Sequence, residues 1–179
     1  IWDADGGGGQ LTVANLQSQS ITGVTSSSTG GQFITTTQNE TTYPAEKGWY
    51  LPLVYNNVLT GERVINQASL VAGRIVFTTA SVDTTDPCAS FGTGKLVELD
   101  AFSGKMLNYA VLDTNGDGLV DSTDSISSGV IFTGGIPTLN AIVNNASRKI
   151  VNDSSGGISS LVEKPGGGGS RRIMWRQIQ

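Results

Sequence analysis

Apolar positions in this chain come in short runs, or alternate with polar ones every second residue, and no stretch shows helical heptads. Trp49, Leu51 and Leu53 alternate with Tyr50 and Pro52, the mark of a half-buried strand, and Pro52 points to a sheet edge because it lacks an N–H. Gly73–Thr79 is dense in β-branched and aromatic residues and reads as a strand. Lys95–Asp100 reads likewise, with Leu96 and Val97 facing opposite ways, and a tight turn at Ala101–Gly104 predicts an antiparallel return over Lys105–Tyr109. Further β-like runs are Leu11–Leu16, Gln32–Thr36, a strand opening at Gly61–Ile65, and Leu107–Leu112. Towards the end come Gly129–Thr133, Gly134–Thr138, Ala141–Val143, Arg148–Val151, Ile158–Glu163 and a closing strand over Arg171–Gln179. The intervals are loop-formers: Gly6–Gly9, Thr25–Gly31, Asp83–Gly94, Asp153–Gly157 and Gly166–Ser170. The expected fold is all-β, built of antiparallel sheets.

Composition agrees. The chain has 179 residues, room for one domain with a real core. Charged residues make up 15 %, below the usual quarter or so, while Gly, Ser and Thr are abundant, as in extracellular β-proteins. A net charge of −4 argues against a nucleic-acid partner. No apolar run approaches the roughly 18–20 residues needed to span a membrane. Ile1-Trp-Asp-Ala-Asp5 has neither the basic nor the apolar part of a signal peptide, and the chain reads as a piece of something longer.

The most specific chemistry is Asp113-Thr-Asn-Gly-Asp-Gly-Leu-Val-Asp121. Oxygen-bearing side chains stand at loop positions 1, 3, 5 and 9 and glycine at position 6, the layout of an EF-hand-type calcium loop. Ca²⁺ takes about 6–8 oxygens, which a short loop supplies only if alternate residues turn inward. Asp113, Asn115 and Asp117 would do so through side chains, Leu119 through its main-chain carbonyl, and Asp121 directly or through a water. Gly118 permits the sharp turn. Asp124 stands at position 12, where an EF-hand carries a longer Glu. Three carboxylates within nine residues repel one another unless a cation lies among them. Ser125–Gly129 is too short and too rich in Ser and Gly for the helix that follows a true EF-hand, so the loop is expected between strands. A dockerin-like scaffold-binding module is the alternative, since Ser122-Thr-Asp124 extends the likeness to one dockerin half, although dockerins carry two loops, each followed by a helix.

Enzymatic signals are lacking. With no histidine in the chain, Ser–His–Asp and Cys–His chemistry and histidine-based zinc sites are out of reach. Cys88, the single cysteine, cannot form an internal disulfide. Glu46, Glu62, Glu98 and Glu163 form no recognisable catalytic arrangement.

Several short motifs, taken in order, resemble the C-terminal end of the PilY/PilC family of type IV pilus tip proteins. They are Lys47–Leu53, Gly61–Val64, Gly73–Thr79, Asp86–Gly92, Leu96–Ala101, the loop Asp113–Asp121, Ser155–Gly157 and Trp175–Gln177. The resemblance covers residues 43–179 and leaves 1–42 as a β/loop segment that could belong to a preceding blade. It implies a modified, quinoprotein-like β-propeller, of which this chain would supply about four blades at the roughly 40–45 residues per blade of such repeats. It also implies calcium at Asp113, Asn115, Asp117, Leu119 and Asp121, with occupancy linked to pilus extension, retraction and attachment. The partners it implies are the rest of the parent adhesin, minor pilins of the tip and a host or abiotic surface. The location would be the bacterial exterior, reached through the periplasm.

Overall fold

The computed structural model describes residues 2–3, 11–82, 92–143 and 147–165. Cys88, most of the loop expected over 83–94, both glycine runs and the expected closing strand lie outside these residues.

The centre is a seven-stranded sheet in which all pairings are antiparallel. In spatial order it runs β3 (Ile21–Ser26), β4 (Gln32–Thr36), β10 (Gly129–Phe132), β9 (Gly94–Asp100), β8 (Arg74–Ala80) and β6 (Arg63–Val64). β7 (Ser69–Val71) also pairs with β8. A three-stranded antiparallel sheet follows: β11 (Pro137–Val143), β12 (Arg148–Asp153) and β13 (Ile158–Val162). A third, small sheet joins β1 (Trp2–Asp3), β5 (Gly48–Tyr50) and β2 (Gln17–Ser18), with β2 parallel to β5. Among the described residues there is no α-helix and no sheet that closes on itself. The all-β, antiparallel expectation is met, while a division into four blades is not what sheets of seven, three and three strands display.

The central sheet is covered on both faces. Every residue of β8 is buried, and successive residues pack into different cores. Ile75, Phe77, Val97 and Leu99 join Ile34 and Trp49 on one side. Val76, Leu96, Phe33 and Val130 join Val111, Leu112 and Val151 on the other. Leu96 and Val97 thus face opposite ways, as read from the sequence. Each fully buried side chain of this kind stabilises the fold by about 1.5–3 kcal/mol. The second core is roofed by the β11–β13 sheet through Val151, with Leu139 and Leu161 packed beside it.

Between these sheets lies a charged cluster that the sequence reading did not assemble. Arg74, Glu98, Lys149 and Glu163 are all buried. Arg74 Nη1 stands 2.9 Å from Glu98 Oε1. Lys149 Nζ pairs with both Glu98 and Glu163. Burial pulls the Lys149 ammonium below the usual lysine value, Glu98 pushes it back up, and Arg74 adds to the lowering. Glu98 and Glu163 are therefore ion-pair partners of buried cations.

Four local expectations are corrected. Leu11–Leu16 is not a strand: Val13–Asn15 forms a 3₁₀ turn, fixed by Asn15 Oδ1, which accepts from the Thr12 amide at 3.1 Å and hydroxyl at 3.0 Å. Lys105–Tyr109 does not return beside β9, because β8 and β10 already flank that strand. The turn at Ala101–Gly104 does form, but pairing stops at Asp100, whose amide reaches the Lys105 carbonyl at 3.1 Å. Leu107–Leu112 is likewise irregular, with a single bridge from Leu112 to Glu163, and is held by burying Leu107, Val111 and Leu112. Part of the Ser/Thr/Gly interval expected as loop belongs to β3, whose edge position tolerates a polar sequence.

Candidate functional site

The acidic loop hangs between the two larger sheets. Its entry is tied to the strand end after β13: the Asp113 amide donates to Val162 O at 3.2 Å, and the Lys164 amide to Val111 O at 2.9 Å. Its exit enters the central sheet at β10. There the Ser128 amide donates to Ile34 O at 2.7 Å, and Ser128 O accepts from the Glu98 amide at 2.8 Å. Anything that tightens residues 113–124 therefore draws on both sheets at once.

The loop is wound by its own Asx side chains. Asp113 Oδ1 accepts the Gly116 amide at 2.6 Å, and Oδ2 accepts the Gly118 amide at 2.8 Å. Asn115 Oδ1 accepts the Asp117 amide at 2.9 Å, and Asp117 Oδ1 accepts the Leu119 amide at 2.8 Å. This succession of Asx turns folds the backbone around the odd-numbered positions. Two glycines make it possible. Gly118 has φ +86° in open space, so its role is conformational alone. Gly116 has φ +81°, and a Cβ there would also meet the Thr29 methyl at 2.9 Å.

Asp124 does a different job from the one its position suggests. It is buried, and both carboxylate oxygens are engaged by the loop. Oδ1 accepts the Thr114 amide at 2.7 Å and the Asn115 amide at 3.3 Å, and Oδ2 accepts the Asp121 amide at 3.0 Å. Burial opposes its ionisation, but the amides of Asp121, Thr114 and Asn115 and the Thr114 hydroxyl outweigh that, leaving its pKa below the usual carboxylate value. It clamps the two ends of the loop together. No helix follows it: residues 125–128 carry no helical structure, so the dockerin-like alternative loses the element that defines it.

The five expected ligands occupy one exposed to half-buried loop, but their carboxylates do not meet. Among the described residues, no three His, Cys, Asp or Glu side chains converge as a metal site requires. Asp121 turns to Thr123, accepting its amide and its hydroxyl at 2.7 Å each, and these bonds lower its pKa. Asn115 directs its amide nitrogen at Asp117 Oδ2, 3.3 Å away, and at Thr123 Oγ1, 2.8 Å away. By donor chemistry Asp113, Asn115, Asp117 and Asp121 would suit a hard, oxygen-seeking cation. Asp121, held by Thr123, is the carboxylate turned away from the others.

A groove of ≈ 440 Å³ adjoins the loop, lined by Leu119, Asp121, Arg148 and Glu163 among others. It joins the acidic loop to the buried charge cluster, a proximity that only the fold reveals.

No family model matches the chain. Over an alignment 142 positions long that covers 71 % of this chain, it is 29 % identical to the type IV pilus biogenesis factor PilY1 of Pseudomonas aeruginosa, in each of two strains. The match spans 12 % of the length of those relatives. The crystal structure of the P. aeruginosa PilY1 C-terminal domain superposes with a TM-score of 0.67 at 24 % identity, covering 87 % of this chain and 33 % of that one.

Proposed function

We propose, on the premise that this chain is homologous to the C-terminal region of PilY1 and so stands with the PilY/PilC family its motifs resemble, that it is a calcium-stabilised module of a pilus-associated surface protein, with no catalytic centre. In this reading its sheets are sectors of a larger propeller-like array. It works outside the cell at the pilus tip, among minor pilins and facing a host or abiotic surface. Calcium occupancy is linked to pilus extension and retraction.

The observation that carries the reading is the placement of the loop. A D-x-N-x-D-G-x-x-D sequence, already wound by Asx turns, sits at the seam between two sheets. Bound calcium would supply the positive centre that Asp113, Asp117 and Asp121 lack, with Asn115 and the Leu119 carbonyl completing the oxygen set. Asp124 holds the loop ends and leaves ligation to the others.

Calorimetry with Ca²⁺ tests this. The expected dissociation constant is on the order of 10⁻⁴–10⁻³ M, as for extracellular calcium modules. At ten times that concentration the fold gains about 1.4 kcal/mol by mass action. Asp117→Ala removes both the heat and the thermal shift. Absence of heat and of any shift in the parent chain overturns the calcium reading. The pilus role is tested separately, by introducing Asp117→Ala into the full-length protein and counting surface pili and attached cells. Unchanged counts overturn that link and leave the binding result standing.

A further inference from the structure

Lys149 and Glu163 meet side chain to side chain on adjoining segments. Lys149 pairs with Leu161 in the β12–β13 register, and Glu163 follows two residues on, just past the strand end, so both fall on one face. Both side chains are shut off from solvent. Lys149 Nζ touches Glu163 Oε2 and lies 2.7 Å from Glu98 Oε2. Arg74 holds the other Glu98 oxygen at 2.9 Å. Glu98 thus has a cation besides Lys149, whereas neither Glu163 oxygen makes a hydrogen bond among the described residues. The cations next to them in sequence are engaged elsewhere: Arg148 donates to Ser160 Oγ at 3.2 Å, and Lys164 lies over the Tyr109 ring. Lys149 is the amine within reach of Glu163.

We propose that Lys149 Nζ and Glu163 Cδ join in an intramolecular amide bond, a self-made cross-link between β12 and the end of β13. A buried ion pair offsets its desolvation only when the remaining lone pairs are satisfied, and those of Glu163 are not. Condensation exchanges two buried charges for one neutral amide and leaves Arg74 and Glu98 as a matched pair. Groups already held in contact need no diffusive encounter. Desolvation, the largest influence on Lys149, favours its free amine. The ammonium first gives a proton to the Glu163 carboxylate, leaving an amine beside a carboxylic acid. The Nζ lone pair attacks Cδ. Glu98 Oε2 takes a second proton from the nitrogen and passes it to the departing hydroxyl. The C–O bond breaks, water leaves, and the new C–N bond keeps one N–H. The groove lined by Glu163, Asp121 and Arg148 gives that water a way out. The bond needs neither calcium nor a partner chain.

Peptide mass spectrometry tests it. The full-length protein that contains this chain is purified folded, then denatured and digested with trypsin. Trypsin cuts after Arg148 but cannot cut after an acylated Lys149. The expected peptide begins at Lys149, contains Glu163, and is lighter than its sequence by one water. Glu163→Ala should restore cleavage, giving a peptide that begins at Ile150. Glu98→Gln should lower the joined fraction at least tenfold. A parent peptide that begins at Ile150 with its full mass overturns the cross-link, and this measurement does not depend on any variant folding. A loss of water that persists in Glu163→Ala also overturns it, because the dehydration then lies elsewhere. An unchanged joined fraction in Glu98→Gln overturns the proton route through Glu98.

Discussion

Lys149 Nζ lies 2.7 Å from Glu98 Oε2 across the interior gap between β12 and β9, and neither side chain is reached by solvent. The pair fastens the β11–β13 sheet to the central one, and Arg74 and Glu163 complete a neutral set of two cations and two anions. Removing one member strands a buried charge, which costs more than the pair itself contributes. Lys149→Met should therefore destabilise the chain by about 3–5 kcal/mol in urea unfolding. The double variant with Glu98→Gln should lose less than the sum of the two single losses. Strict additivity would show that the charges do not act together.

Gly104 closes the turn after β9 at φ +70°, flat against the Trp49 indole, whose ring a Cβ would meet at 2.1 Å. Trp49 is itself fixed by its ring N–H, which donates to Ala101 O at 3.1 Å. Gly104→Ala must therefore strain the backbone and displace a core aromatic. The expected loss is about 2 kcal/mol or more, with a shift in Trp emission. Gly118→Ala, strained in φ but facing open space, should cost less.

Asp124 and Asp117 separate structure from ligand binding within one loop. Asp124→Ala leaves the amides of Thr114, Asn115 and Asp121 without their acceptor. It should cost about 1–3 kcal/mol with no calcium present. The Asp117 side chain is exposed, and Asp117→Ala should leave calcium-free stability within about 0.5 kcal/mol while abolishing the response to calcium. Thermal melts of both variants, with and without Ca²⁺, check this. Equal calcium-free stabilities would show that Asp124 is not the clamp.

The β12–β13 turn carries an acid-sensitive carboxylate. Asp153 accepts the Ser155 hydroxyl and the Gly157 and Ser155 amides, and these bonds hold its carboxyl below the ordinary range, the hydroxyl contributing most. A carboxyl lowered on folding adds stability above its unfolded pKa, near 3.9, and that stability is lost as pH falls through the lower folded value. Carboxyl-carbon NMR titration should place Asp153 below a peptide Asp. Asp153→Asn should weaken the turn at neutral pH and remove its acid dependence.

Strand identity along β8, β9 and β10 was set by the sequence alone, because β-branched and aromatic density there is local information. The spacing of Asp113, Asn115, Asp117 and Gly118 was equally local, and the Asx turns follow from it. Tertiary structure decided the rest. Only the occupied flanks of β9 turned Lys105–Tyr109 away from a hairpin, and only burial made Asp124 a clamp. Arg74, Glu98, Lys149 and Glu163 stand on separate segments of the chain, and no local spacing links them. Their pairing is a fact of sheet stacking, and no local pattern encodes which distant strands will face each other.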